Sequence, residues 1–98
     1  MARMESGRVW MHAEDTEFHL DTGSGDRTAD KLVRFDIPFQ KPPQVVIGLT
    51  KFDTNKDRNA RLSVEAKDVG AASFEVEFKT WSDTLVYGVE VSWLAYGD

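Results

Sequence analysis

Residues 61–67 alternate: Leu62, Val64 and Ala66 are apolar, whereas Arg61, Ser63, Glu65 and Lys67 are polar. A period of two sends successive side chains to opposite faces of an extended chain, so this segment reads as a half-buried strand. The pattern returns after a short join at 68–72, with Phe74, Val76 and Phe78 on one parity and Glu75, Glu77 and Lys79 on the other. That join is expected to be a hairpin or bulged turn. A third run follows 80–83: Leu85, Tyr87, Val89, Val91, Trp93 and Ala95 alternate with Val86, Gly88, Glu90 and Ser92, predicting a long final strand.

Upstream, residues 45–52 are apolar on both parities, which predicts a strand covered on both faces, in the centre of a sheet. Residues 31–37 lead to Pro38, consistent with a strand entering a turn over 39–43. With a short first strand over 7–12 the expected total is six strands, and no segment carries a helical period. The predicted fold class is therefore all-β, a six-stranded antiparallel β-sandwich, in a single domain over 1–98.

Composition narrows the function classes. The 98 residues, 41% of them apolar, supply one core, in a domain small enough for a partner subunit to help stabilise it. With 17 acidic residues against 12 basic ones the net charge is -5, which repels phosphates and argues against nucleic acid and anionic lipid as partners. There is no cysteine, hence no disulfide framework or thiolate metal site. No apolar run is long enough for a signal peptide or a membrane span, so the expectation is a soluble chain with no membrane insertion. It would be released by a leaderless route, be virion-associated, or be a module of a longer protein.

Three motifs imitate known chemistry. Leu20-Asp21-Thr22-Gly23-Ser24 is how an aspartic protease presents its carboxylate, but such a site needs a second copy and a glycine-rich flap. Residues 53–60 contain no glycine, so the favoured reading is a turn. Asp53, Asn55 and Asp57 open like a calcium loop, yet Arg58 stands where glycine is required and Val64 where the bidentate Glu belongs; a solvated hairpin loop is expected instead. His12 and His19, with Glu14, Asp15 and Glu17 between them, match no tight zinc spacing and read as an acidic exposed loop.

A more informative constellation comprises Phe35-Asp-Ile-Pro-Phe39, Pro42-Pro-Gln-Val-Val46, Arg61, Thr80-Trp-Ser-Asp-Thr-Leu-Val-Tyr87 and Val91-Ser-Trp-Leu-Ala95. In order and spacing these stretches resemble the H-type lectin family, the galactose- and GalNAc-binding domains of snail agglutinins and of the C-terminal part of slime-mould discoidins. The resemblance runs from Ser6-Gly7 to Ala95. It implies a β-sandwich that assembles as a trimer or as paired trimers (a hexamer), with a glycan bound near the protomer boundary and no cofactor or metal.

Carried onto this chain, the resemblance assigns ligand contacts to Arg61, Trp81 and Tyr87. The acidic contact falls on Asp26, with Ser24 and Asp21 as alternatives. Ser82 stands where the snail lectin has a histidine that touches the sugar. The chemistry is coherent: a galactose-like ring has a C–H face that packs on an aromatic ring, and hydroxyls that need both donors and acceptors. Such a site has no nucleophile and no acid–base pair, so the chain is not expected to be an enzyme. Trp81 lies on the exposed parity, Tyr87 shares the parity of the core, and Trp93 reads as core. The competing expectation is an assembly or adhesion module, as in a phage tail or surface fibre, with a decayed or redirected sugar site.

Overall fold

The computed structural model describes residues 2–98, which form six strands and, among the described residues, no helix. These are β1 (Arg3–His12), β2 (Arg27–Arg34), β3 (Gln44–Thr54), β4 (Ser63–Lys67), β5 (Ser73–Thr80) and β6 (Val86–Gly97). They make two antiparallel sheets of three strands each, ordered β1-β6-β3 and β2-β5-β4. The sandwich read from the alternation is the observed architecture.

The inward parities of β5 and of β6 from Val89 on are the ones that the pattern assigns; at the start of β6 the register slips, so Val86 is fully buried and Leu85 and Tyr87 only half-buried. Phe74, Val76 and Phe78 of β5 face Val89, Val91, Trp93 and Ala95 of β6, and all are buried. Burying an aliphatic or aromatic side chain of this size contributes about 1.5–3 kcal/mol, so this row supplies much of the core. At one end Phe35, Phe39, Phe74 and Trp93 form an aromatic cluster with centroids 5.0–5.9 Å apart.

Strand register decides what gathers at the other end. His12 pairs with Gly88, Arg27 with Thr80, Thr54 with Val86, and Ser63 with Lys79. The three crossovers at 13–26, 55–62 and 81–85 therefore meet at one end of the sandwich. Phe18 and Leu20 anchor the first of them in the core, and the Val86 amide donates to the Leu20 carbonyl at 2.8 Å.

Two expectations are corrected. β3 is an edge strand, because β6 is the strand paired on both sides. Apolar residues on both of its parities do not mean two buried faces: Val46 is 58% exposed and Leu49 46%. Residues 55–62 are likewise a crossover between sheets, not a hairpin loop, since β3 and β4 belong to different sheets. Smaller shifts concern strand ends. β1 begins well before Gly7, and β2 runs from Arg27 to Arg34, after which Phe35 and Phe39 turn their amides to Ala72 and Ala71.

Candidate ligand-binding site

The loop at 20–26 is shaped by glycine and by one arginine. Gly23 and Gly25 adopt φ of 75° and 78°, a region that suits a residue without Cβ, and the Gly25 amide donates to the Ser82 carbonyl at 2.9 Å. Arg27 then closes the loop. Its guanidinium group donates to Gly25 O and Thr22 O, both at 2.9 Å, and to Ser82 O at 3.0 Å. Ser82 itself has φ 61°, so a non-glycine residue is held in the left-handed region where the two loops touch. Asp21 is one residue of this turn.

Asp26 leaves the loop exposed, with Oδ2 3.5 Å from Lys79 Nζ. Asp26, Ser63, Lys79 and Trp81 line a cavity of about 410 Å³. Trp81 is 37% exposed there, as its parity predicts, so an aromatic face stands beside a carboxylate and an ammonium group.

Arg61 is tied to the same end of the sandwich. Its carbonyl accepts from the Thr80 hydroxyl at 2.6 Å, while Nη1 donates to Asp83 Oδ1 at 3.0 Å and to Thr84 Oγ1 at 3.1 Å. The Thr84 hydroxyl in turn donates to Asn59 O at 2.6 Å, and both threonines are fully buried. These bonds stitch the 59–61 segment to the 80–84 loop. The Asp83 carboxylate is 63% exposed, so its ion pair with Arg61 is weak and exchangeable for a ligand's oxygens.

Tyr87 lies elsewhere. It is half-buried and opens on a second cavity of about 340 Å³ with Trp10, His12, Glu14 and Asp53, where Asn55 Nδ2 donates to its hydroxyl oxygen at 3.0 Å. One protomer thus brings Asp26 and Trp81 together, sets Arg61 and Ser82 on loops joined to them, and keeps Tyr87 apart. Arg27, Lys79, Thr80 and Thr84 escape a reading of the sequence. A hydroxyl or a charge gives no sign along the chain that its partner lies in a distant loop.

An aromatic face, charged acceptors and fixed donors without an aligned nucleophile suit the holding of a polyhydroxylated ring. No group of three or more metal-ligating side chains is clustered among the described residues.

Residues 30–96 match the profile of the H-type lectin domain. The protein described as ATP synthase subunits region ORF 7 of Fuscovulum blasticum is 37% identical over 76 residues, which are 78% of this chain and 66% of that protein. Discoidin-2 of Dictyostelium discoideum is 32% identical over 78 residues, 78% of this chain and 30% of that protein. The structure of recombinant discoidin II superposes with a TM-score of 0.86 at 26% identity, over 97% of this chain and 36% of that one. The chain thus spans less than two thirds of these relatives.

Proposed function

The chain belongs to the H-type lectin domain family, and from that premise we propose that it is a carbohydrate-binding module, without catalysis, for galactose- or GalNAc-like units of glycans. The observation that carries the reading is Trp81, an exposed indole beside Asp26 and within one loop of Arg61. Trp81 would stack on the C–H face of the ring, Asp26 would accept from adjacent hydroxyls, and Arg61 would donate a rigid fork.

We further propose that protomers associate into a trimer, or into paired trimers. Two different apolar surfaces support this. Met4, Val46, Leu94 and Tyr96 share the outer face of the β1-β6-β3 sheet, being cross-strand partners in register and exposed. Leu49 and Phe52 carry the inward parity, opposite Val91 and Val89, but are left exposed where β3 ends the sheet. Two unlike patches on one protomer fit a heterologous contact that closes into a ring.

The second reading is an assembly or adhesion module with a redirected site. It draws support from Asp83 on Arg61 and Asp26 on Lys79, carboxylates already seated on both cations. A glycan array probed with the protein and its Trp81→Ala variant separates the two. The lectin is expected to bind terminal galactose or GalNAc and the variant to lose the signal; wild-type protein silent on every glycan would leave the assembly module.

A further inference from the structure

Tyr87 opens on a cavity that the Asp26–Trp81 site does not use. Its floor is Trp10, 44% exposed on the outer face of β1. Diagonally across the sheet lies Gly88, where an added Cβ would stand 3.0 Å from the Trp10 Cη2 atom. The missing side chain therefore leaves room for the edge of the indole over β6, and the ring remains part-exposed. His12 flanks it with ring centroids 5.5 Å apart.

Polar groups rim this platform. Glu14 and Asp53 are exposed carboxylates that line the cavity. Because Asn55 donates to the Tyr87 oxygen, the phenolic proton is free to be donated outward. The Lys51 ammonium lies over the Trp10 ring, 5.5 Å from its centroid and 3.9 Å from Glu90 Oε2; at 63% exposure it can swing aside and add a second donor. His12 Nδ1 accepts the Glu14 amide at 3.3 Å, and its Nε2 lies 3.5 Å from Asp15, so the imidazole is occupied by its own loop. A volume of about 340 Å³ stands at the small end of ligand cavities, roughly 300–1,000 Å³.

We infer that this cavity is a second carbohydrate subsite. A neutral hexose ring lies on Trp10, with its hydroxyls held by Asp53, Glu14 and the Tyr87 hydroxyl. The ligand class rests on the lectin reading; the site does not. Two carboxylates against one lysine repel sugars that carry a carboxylate or sulfate. The platform is also separate from the Met4–Tyr96 patch, while Phe52 of the other patch borders it next to Asp53. Met4 pairs with Tyr96 at one end of the sheet and His12 with Gly88 at the other, roughly 27 Å away at about 3.4 Å per residue. Arg8 and Glu90, 3.5 Å apart, stand between them.

The test follows the three tryptophan indole N–H resonances of the labelled protein, assigned by Trp→Phe substitution. Methyl β-galactoside, methyl α-N-acetylgalactosaminide, methyl α-glucoside and tetramethylammonium serve as probes. A saturable Trp10 shift with at least one glycoside is expected, with Kd on the order of 1–10 mM for a single-ring site. It should persist in Trp81→Ala and weaken about tenfold, or 1.4 kcal/mol, in Asp53→Asn and in Gly88→Ala, whose methyl group tips the indole. A Trp81 response with Trp10 silent would overturn the second subsite and leave the lectin reading intact. A Trp10 response to tetramethylammonium alone would make the cavity a cation site, and a smaller assembly on light scattering of Trp10→Ala would make it a protomer contact; either overturns the inference. Silence of both indoles removes the lectin reading along with it.

Discussion

Arg27 donates through Nη2 to the carbonyl oxygen of Ser82 at 3.0 Å, across 55 positions of chain. The same guanidinium group caps the carbonyls of Thr22 and Gly25, so one side chain sets two loops at a fixed separation. Asp26 hangs from one of these loops and Trp81 adjoins the other. Their spacing, and with it the width of the candidate sugar cavity, depends on a residue that touches no ligand.

Arg27→Ala should therefore weaken glycan binding without unfolding the sandwich. Hydrogen bonds to a charged donor contribute about 1.5–3 kcal/mol when intact, and partial exposure here places the expected loss at the low end, roughly tenfold in affinity. Calorimetric titration measures this, and faster amide exchange at Gly25 should accompany it. Arg27→Lys should rescue little, because a single ammonium cannot span three carbonyls. Wild-type affinity in Arg27→Ala would show that the loops hold themselves.

Thr84→Val should destabilise the fold. The hydroxyl is fully buried, donates to Asn59 O and accepts from Arg61, so its removal breaks two hydrogen bonds that join the loops, at a cost of about 1–3 kcal/mol. For a domain of this size each kcal/mol lowers Tm by roughly 4–8 °C. A thermal midpoint within about 2 °C of wild type would contradict the assignment.

Ser82→Gly and Ser82→His act at one backbone position in different ways. The left-handed φ of 61° is strained for serine, so glycine should raise stability by up to about 1 kcal/mol, read as a higher Tm. Histidine tolerates this region better than most side chains, so Ser82→His should fold. It adds a ring donor beside Trp81, and tighter GalNAc binding is the expected outcome; an unchanged glycan profile would show that position 82 does not face the sugar.

Val46→Glu and Leu94→Glu test assembly. These residues are cross-strand partners on the exposed face, and a carboxylate at either would be buried unpaired by a protomer contact. Light scattering should give three or six protomers for the wild type and one for the variants, with reducing agent changing nothing because there is no cysteine. A monomeric wild type would remove the ring.

The sheets were legible in the chain because period-two alternation is a local signal. Phe74, Val76 and Phe78 announce their face without reference to any other strand. β3 misleads for the complementary reason: Val46 and Leu49 are apolar although exposed, and a strand at the centre of a sheet and one at an edge of a protomer can look the same in sequence. Trp81 was readable as exposed from parity. Tyr87 shares the parity of the core but opens on a separate cavity, and the positioning roles of Arg27 and Thr84 depend on contacts between distant loops that leave no periodic trace.

The order of strands in the β1-β6-β3 sheet also dictates a timetable. β1 and β3 each pair with β6, which is made after both. At about 5–20 residues per second, the interval between His12 and Val86 leaving the ribosome is roughly 4–15 s, long compared with the closure of a hairpin. During that wait β1 carries Met4 and Trp10 on an unpaired strand, while β4 and β5 can already zip together. The nascent chain thus passes through a stage in which half of its sandwich is a template seeking a third strand, and in a crowded polysome the nearest such strand belongs to the neighbouring chain.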